Sequence, residues 1–64
     1  MRGSVARFDP DGWGVIHDTD GFDHPFHCTA LADGSRRVDP GTEVLFELAP
    51  GRQGRWEATA ITTA

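Results

Sequence analysis

Two rings and a cluster of imidazole, thiol and carboxylate groups carry the chemistry of this chain. In Asp11-Gly12-Trp13-Gly14-Val15-Ile16 a glycine or aliphatic residue alternates with a larger one at period two, the pattern of a strand with one face packed and the other presenting Trp13. An outward indole on a strand is a surface on which an unpaired base can stack, and His27, in His24-Pro25-Phe26-His27, falls where a neighbouring strand would set it beside Trp13. His17, His24, His27 and Cys28, with Asp18, Asp20 and Asp23 close by, are zinc-compatible in type. Their spacing matches no closed site, and residues 27 and 28, adjacent on a strand, point apart. Cys28 with a histidine would be a nucleophile pair only in a pocket with oxyanion donors, for which so short a chain gives no sign. No metal, cofactor or catalytic centre is therefore expected.

The elements that would hold the two rings are strands. Strand signals run from about Gly3 to Asp9, Trp13 to Asp18, Phe22 to His27, Thr42 to Leu48 and Arg55 to Thr62. Pro10-Asp11-Gly12 and Thr19-Asp20-Gly21 are turn chemistry and make the first three strands a meander. Ala32-Asp33-Gly34-Ser35, Asp39-Pro40-Gly41 and Ala49-Pro50-Gly51 punctuate the rest, and no stretch has the length and period of an amphipathic helix beyond one turn around Thr29 to Leu31. Parity sends Val44, Phe46 and Leu48 inward and leaves Leu45 at the surface; Val5, Phe8, Ile16, Phe26, Leu31, Ala58 and Ile61 complete a thin core. Five short antiparallel strands of this kind predict an all-β fold, a closed oligonucleotide-binding (OB) barrel.

The motifs resemble those of the cold-shock domain family. Its first ribonucleoprotein motif, usually Lys-Gly-Phe-Gly-Phe-Ile, is matched by Gly12-Trp13-Gly14-Val15-Ile16, and its second, usually Val-Phe-Val-His-Phe, by His24-Pro25-Phe26-His27-Cys28. Further matches at Gly3-Ser4-Val5, Phe8-Asp9, Thr29-Ala30-Leu31, Gly41, Val44-Leu45-Phe46 and Gly51 to Ile61 extend it over nearly the whole chain as one domain. The resemblance implies binding of single-stranded RNA or DNA, with an RNA-chaperone or transcript-regulating role. It also implies a binding face at Trp13, His27, Arg7, Val15 and Pro25, with Arg36 in the following loop. On that face the family's aromatics are thinned: Arg7 stands for a tryptophan, Val15 and Pro25 for aromatics, Cys28 for a phenylalanine and Ser35 for a loop aromatic. Asp11 replaces or follows the loss of a lysine that would neutralise phosphate. An arginine plane also stacks on bases and pairs with phosphate, so Arg7 restores part of what is lost.

Composition bounds the partners. The formal charge of the 64 residues is −4, with six arginines and no lysine, which argues against holding duplex DNA by phosphate neutralisation. One cysteine allows no internal disulfide and fits a reducing compartment, and no apolar run reaches a membrane span, so a cytoplasmic protein is expected. Arg36-Arg37 and Arg52 with Arg55 can form a basic rim; Trp56 is expected as a plug at the barrel end or a partner contact. A second reading is a protein-interaction module that keeps the barrel and uses Leu45 and Trp56 as an apolar interface.

Overall fold

The computed structural model describes residues 1–51 and 54–64; the expected basic residue Arg52 lies outside them. The described chain is all-β. β1 (Arg2–Phe8), β2 (Trp13–Asp18), β3 (Asp23–His27), β4 (Glu43–Pro50) and β5 (Trp56–Thr63) pair antiparallel in one sheet of order β3-β2-β1-β4-β5. Among the described residues Cys28–Ala30 forms a 3-10 turn. The first turn works as its residues suggest: Gly12 sits at φ 91°, where a Cβ is strained, and its N–H bonds Asp9 O at 3.0 Å.

The expected closure into a barrel is not present as a hydrogen-bonded ladder. Among the described residues the sheet has two edges, β3 and β5, which approach each other and are joined indirectly, by an isolated parallel bridge between Leu31 and Ile61 and an Ala32 N–H bond to Ile61 O at 2.9 Å. β3 is short, carries Pro25 without an N–H to donate, and ends in the 3-10 turn, so it offers little edge for β5 to pair. Two irregularities curl the sheet. Ala6 is skipped between Val5 and Arg7 where β1 pairs with β2, and β4 and β5 slip between Leu45 and Glu47 near Ala60, whose φ is 50°. Such bulges bend a strand and raise its twist.

The curled sheet encloses Val5, Ile16, Phe26, Leu31, Val44, Phe46, Ala58 and Ile61. Phe8 and Leu48, expected inside, are only partly buried against that cluster, since both lie near the open ends of their strands, and Leu45 faces out as parity requires. Trp56 is not a plug: it is 62% exposed at the start of β5, opposite Pro50. No described helix is long and apolar enough to cross a membrane.

One buried acid organises the far end of β2. Asp18, 5% exposed, accepts the N–H groups of Asp20 and Phe22 on Oδ1, both at 2.9 Å, and His24 Nε2–H on Oδ2 at 2.6 Å. The His24 ring packs on Phe46, with centroids 5.5 Å apart, so the polar cluster is joined to the core. The His24 hydrogen bond, then the Phe22 N–H, with Asp20 and the His24 charge adding less, hold the Asp18 carboxyl below its ordinary value of 3.8 against the opposing effect of burial. A lowered folded-state value means a contribution to stability that is complete above the ordinary value and is lost as pH falls through the lowered one. Asp18→Ala should therefore lower the melting temperature near neutrality by about 5–15 °C. Below about pH 4 the difference from the parent should shrink. Melting curves by circular dichroism across that range check both the size and the sign.

Candidate nucleic-acid interface

The outer face of β2 and β3 is a stack of three cross-strand rows. Trp13 lies opposite His27, Val15 opposite Pro25, and His17 opposite Asp23, while the intervening Gly14–Phe26 and Ile16–His24 pairs point inward. β1 extends the middle row, because its bulge sets Arg7 opposite Val15. Five of the six residues singled out from sequence, Trp13, His27, Val15, Pro25 and Arg7, thus share one continuous face.

The inward pairs explain why. A Cβ at Gly14 would lie 2.5 Å from Phe26 Cζ and 2.8 Å from Arg7 O, so the Phe26 ring fills the space a side chain there would need. Phe8 stacks on the same ring, with centroids 6.0 Å apart. With Phe26 seated on Gly14 the register of β2 and β3 cannot slip by one, and the residues on either side, Trp13 and His27, face outward.

The two rings meet edge to face, with centroids 4.9 Å apart and planes at 69°. They do not form one flat platform: a base stacked on either ring meets the edge of the other. The His27 ring is also held from behind. Its Nδ1 accepts the Thr29 N–H at 3.4 Å, capping the 3-10 turn, and lies 3.0 Å from the Thr29 hydroxyl. In the neutral ring this puts the proton on Nε2, a donor. Gly12 allows the close turn beneath it; a Cβ there would lie 3.1 Å from Cys28 Sγ and 3.6 Å from His27 Nε2.

Charges around the rings are mostly tied within the chain. Asp11 Oδ1 accepts the Trp13 N–H at 3.0 Å, so this acid caps the turn that launches the indole. The Arg7 guanidinium is exposed and 3.2 Å from the Asp9 carboxylate, an exposed pair that a phosphate can displace at small cost. Arg36 is off the rows. It lies in the loop before β4 at φ 59°, lining with Arg37 a hollow against Phe8, Asp9 and Pro10. Ser35, which stands for the loop aromatic, has its hydroxyl on Arg37 O.

The residues that resembled a metal set are divided between two faces. His17 Nδ1 lies 2.6 Å from Asp23 Oδ1 on the outside; His24 serves Asp18 on the inside; His27 serves Thr29, with Cys28 Sγ 3.9 Å away. Among the described residues no three such side chains come together as a metal site. Sequence reasoning missed both histidine–aspartate pairs, although parity held the signal: 17 and 23 share the outward parity of 13 and 27, and 18 and 24 the inward one. No protein-family model matches the chain.

Gly14→Ala tests the packing that aims the rings. The added methyl meets both a buried ring and a backbone carbonyl, and should destabilise the fold by about 1–3 kcal/mol. Chemical denaturation followed by circular dichroism measures it; an unchanged midpoint would mean that Phe26 does not need the space.

Proposed function

We propose that this chain is a cold-shock-like domain, its curled sheet of OB type, that binds single-stranded RNA or DNA on the outer face of β1, β2 and β3, with modest affinity and without catalysis. The observation that carries this reading is the directly opposed, half-buried Trp13–His27 pair on the outer face, two rings turned outward by the Gly14–Phe26 contact. Base stacking on an aromatic is sequence-tolerant and contributes about 1–3 kcal/mol per base, so one indole and one imidazole support transient binding of a few nucleotides. Arg7, beside the middle row, and Arg36, across Phe8–Pro10, are the groups positioned to meet phosphates. Short-lived stacking of this kind keeps strands unpaired, which suits an RNA-chaperone or transcript-regulating protein of the cytoplasm.

The protein-interaction reading needs Leu45 and Trp56 to join in one patch. They lie five residues apart along the β4–β5 ladder, opposite Thr62 and Pro50 at its two ends, a separation of about 17 Å. Glu47 and Thr59 form a polar pair between them. The ring pair, by contrast, is continuous with an apolar row and an arginine.

Titration of a pyrimidine-rich single strand, followed by tryptophan quenching, tests the proposal. Trp13→Ala should weaken binding by about tenfold or more and Trp56→Ala by much less. If Arg7 and Arg36 neutralise two phosphates, the logarithm of affinity should fall with that of salt at a slope of about −1.4. A folded protein that neither quenches nor shifts a strand at low salt would overturn the reading.

A further inference from the structure

The third row of the outer face has hydrogen-bonding chemistry opposite to the first. An ionised carboxylate only accepts, so the 2.6 Å contact with Asp23 Oδ1 places a proton on His17 Nδ1. In the neutral ring Nε2 is then an unprotonated acceptor, and it has no hydrogen-bond partner among the described residues. His27 is the reverse, with Nδ1 accepting from Thr29 and the proton on Nε2. The two imidazoles occupy the same outward face of the β2–β3 pair, four residues apart along β2, about 13 Å. Val15 and Pro25 form an apolar step between them.

His17 also borders a shallow hollow lined by two hydroxyls, which both donate and accept, and by a paired carboxylate. Ser4, its cross-strand partner on β1, Thr19 and Glu43 line it, and the one cation there, Arg2, is 3.6 Å from the Glu43 carboxylate. The His17 and Asp23 side chains are 54% and 66% exposed, so an unpaired base can reach them.

We propose that His17, held by Asp23, reads the exocyclic amino group of a cytosine or adenine in a strand whose neighbouring bases stack on the Trp13–His27 row. This deepens the single-strand reading and rests on it. An unprotonated Nε2 favours a base that presents N–H₂, and disfavours thymine or uracil, which present a carbonyl at the same edge. Asp23 is a positioning residue: it fixes which ring nitrogen accepts.

The test is a set of thymidine hexamers with a single cytosine moved through each position, in mildly alkaline buffer. Cytosine and thymine both stack as single pyrimidine rings and differ at this edge, and a deoxyuridine control at the favoured position removes the contribution of the thymine methyl group. One position should favour cytosine by about three- to tenfold. That preference should vanish in His17→Ala and shrink in Asp23→Ala, while binding of the all-thymidine strand stays within about twofold in both. Heteronuclear NMR of the free protein should show the His17 proton on Nδ1, and lose that bias in Asp23→Ala. Binding with no cytosine-preferring position, or a preference that survives His17→Ala, overturns this inference and leaves the single-strand reading standing. Failure of every hexamer to bind a folded protein overturns both.

Discussion

The Phe26 ring occupies the space that a side chain at residue 14 would need, and the rest of the outer face follows from that contact. It is a steric constraint: a glycine on β2, an aromatic on β3, and no room to shift either by one residue. Because strand side chains alternate, sealing Gly14 and Phe26 into the core turns Trp13, Val15, Pro25 and His27 outward together. Phe8 lies on the same ring from β1, so the strand that contributes Arg7 is tied to the same anchor. The exposed chemistry is a by-product of how the inside packs.

Asp18 performs the matching task at the other end of β2, with polar chemistry. It satisfies two backbone donors of the β2–β3 turn and a histidine whose ring rests on Phe46. A buried acid is tolerated when its acceptor capacity is filled by donors, as here, and removing it leaves three donors without their acceptor. The two strands are thus pinned by an apolar lock near Trp13 and a hydrogen-bonded one near His17. Between them the outer rows are held in register, with the Trp13–His27 and His17–Asp23 contacts adding to it from the outside.

Much of the fold was legible because the chain is patterned at period two and punctuated by glycine and proline. β2 was read with its observed limits, the other strands fell within two residues, and Leu45 was assigned outward while Val44 and Phe46 went in. Barrel closure was not legible, because whether two edge strands hydrogen-bond depends on the twist and length of both, and β3, with Pro25, offers a poor edge. Phe8, Leu48 and Trp56 were read as more enclosed than they are, since residues near strand ends sit where a small curled sheet runs out of cover. Of the site, parity was enough to place Trp13, His27, Val15, Pro25 and Arg7 on one face. The edge-to-face angle of the rings was not legible, because it depends on rotamers; for the two histidine–aspartate pairs parity gives the shared face but not which carboxylate each imidazole meets. Arg36 belongs to a loop whose path no periodicity describes.

A net charge of −4 is no obstacle to a surface that works by stacking, provided its acids are engaged elsewhere. Asp11 caps a turn, Asp18 is buried, Asp9 pairs with Arg7 and Asp23 with His17. In the single-strand proposal, the face aimed outward by Gly14 and Phe26 is the one that meets the strand. NMR chemical-shift mapping with a short thymidine strand tests it most directly. The largest shifts should fall on the Trp13 indole N–H, His27, Val15 and Arg7, with Leu45 and Trp56 unmoved. Shifts centred on β4 and β5, with the Trp13 indole silent, would contradict it.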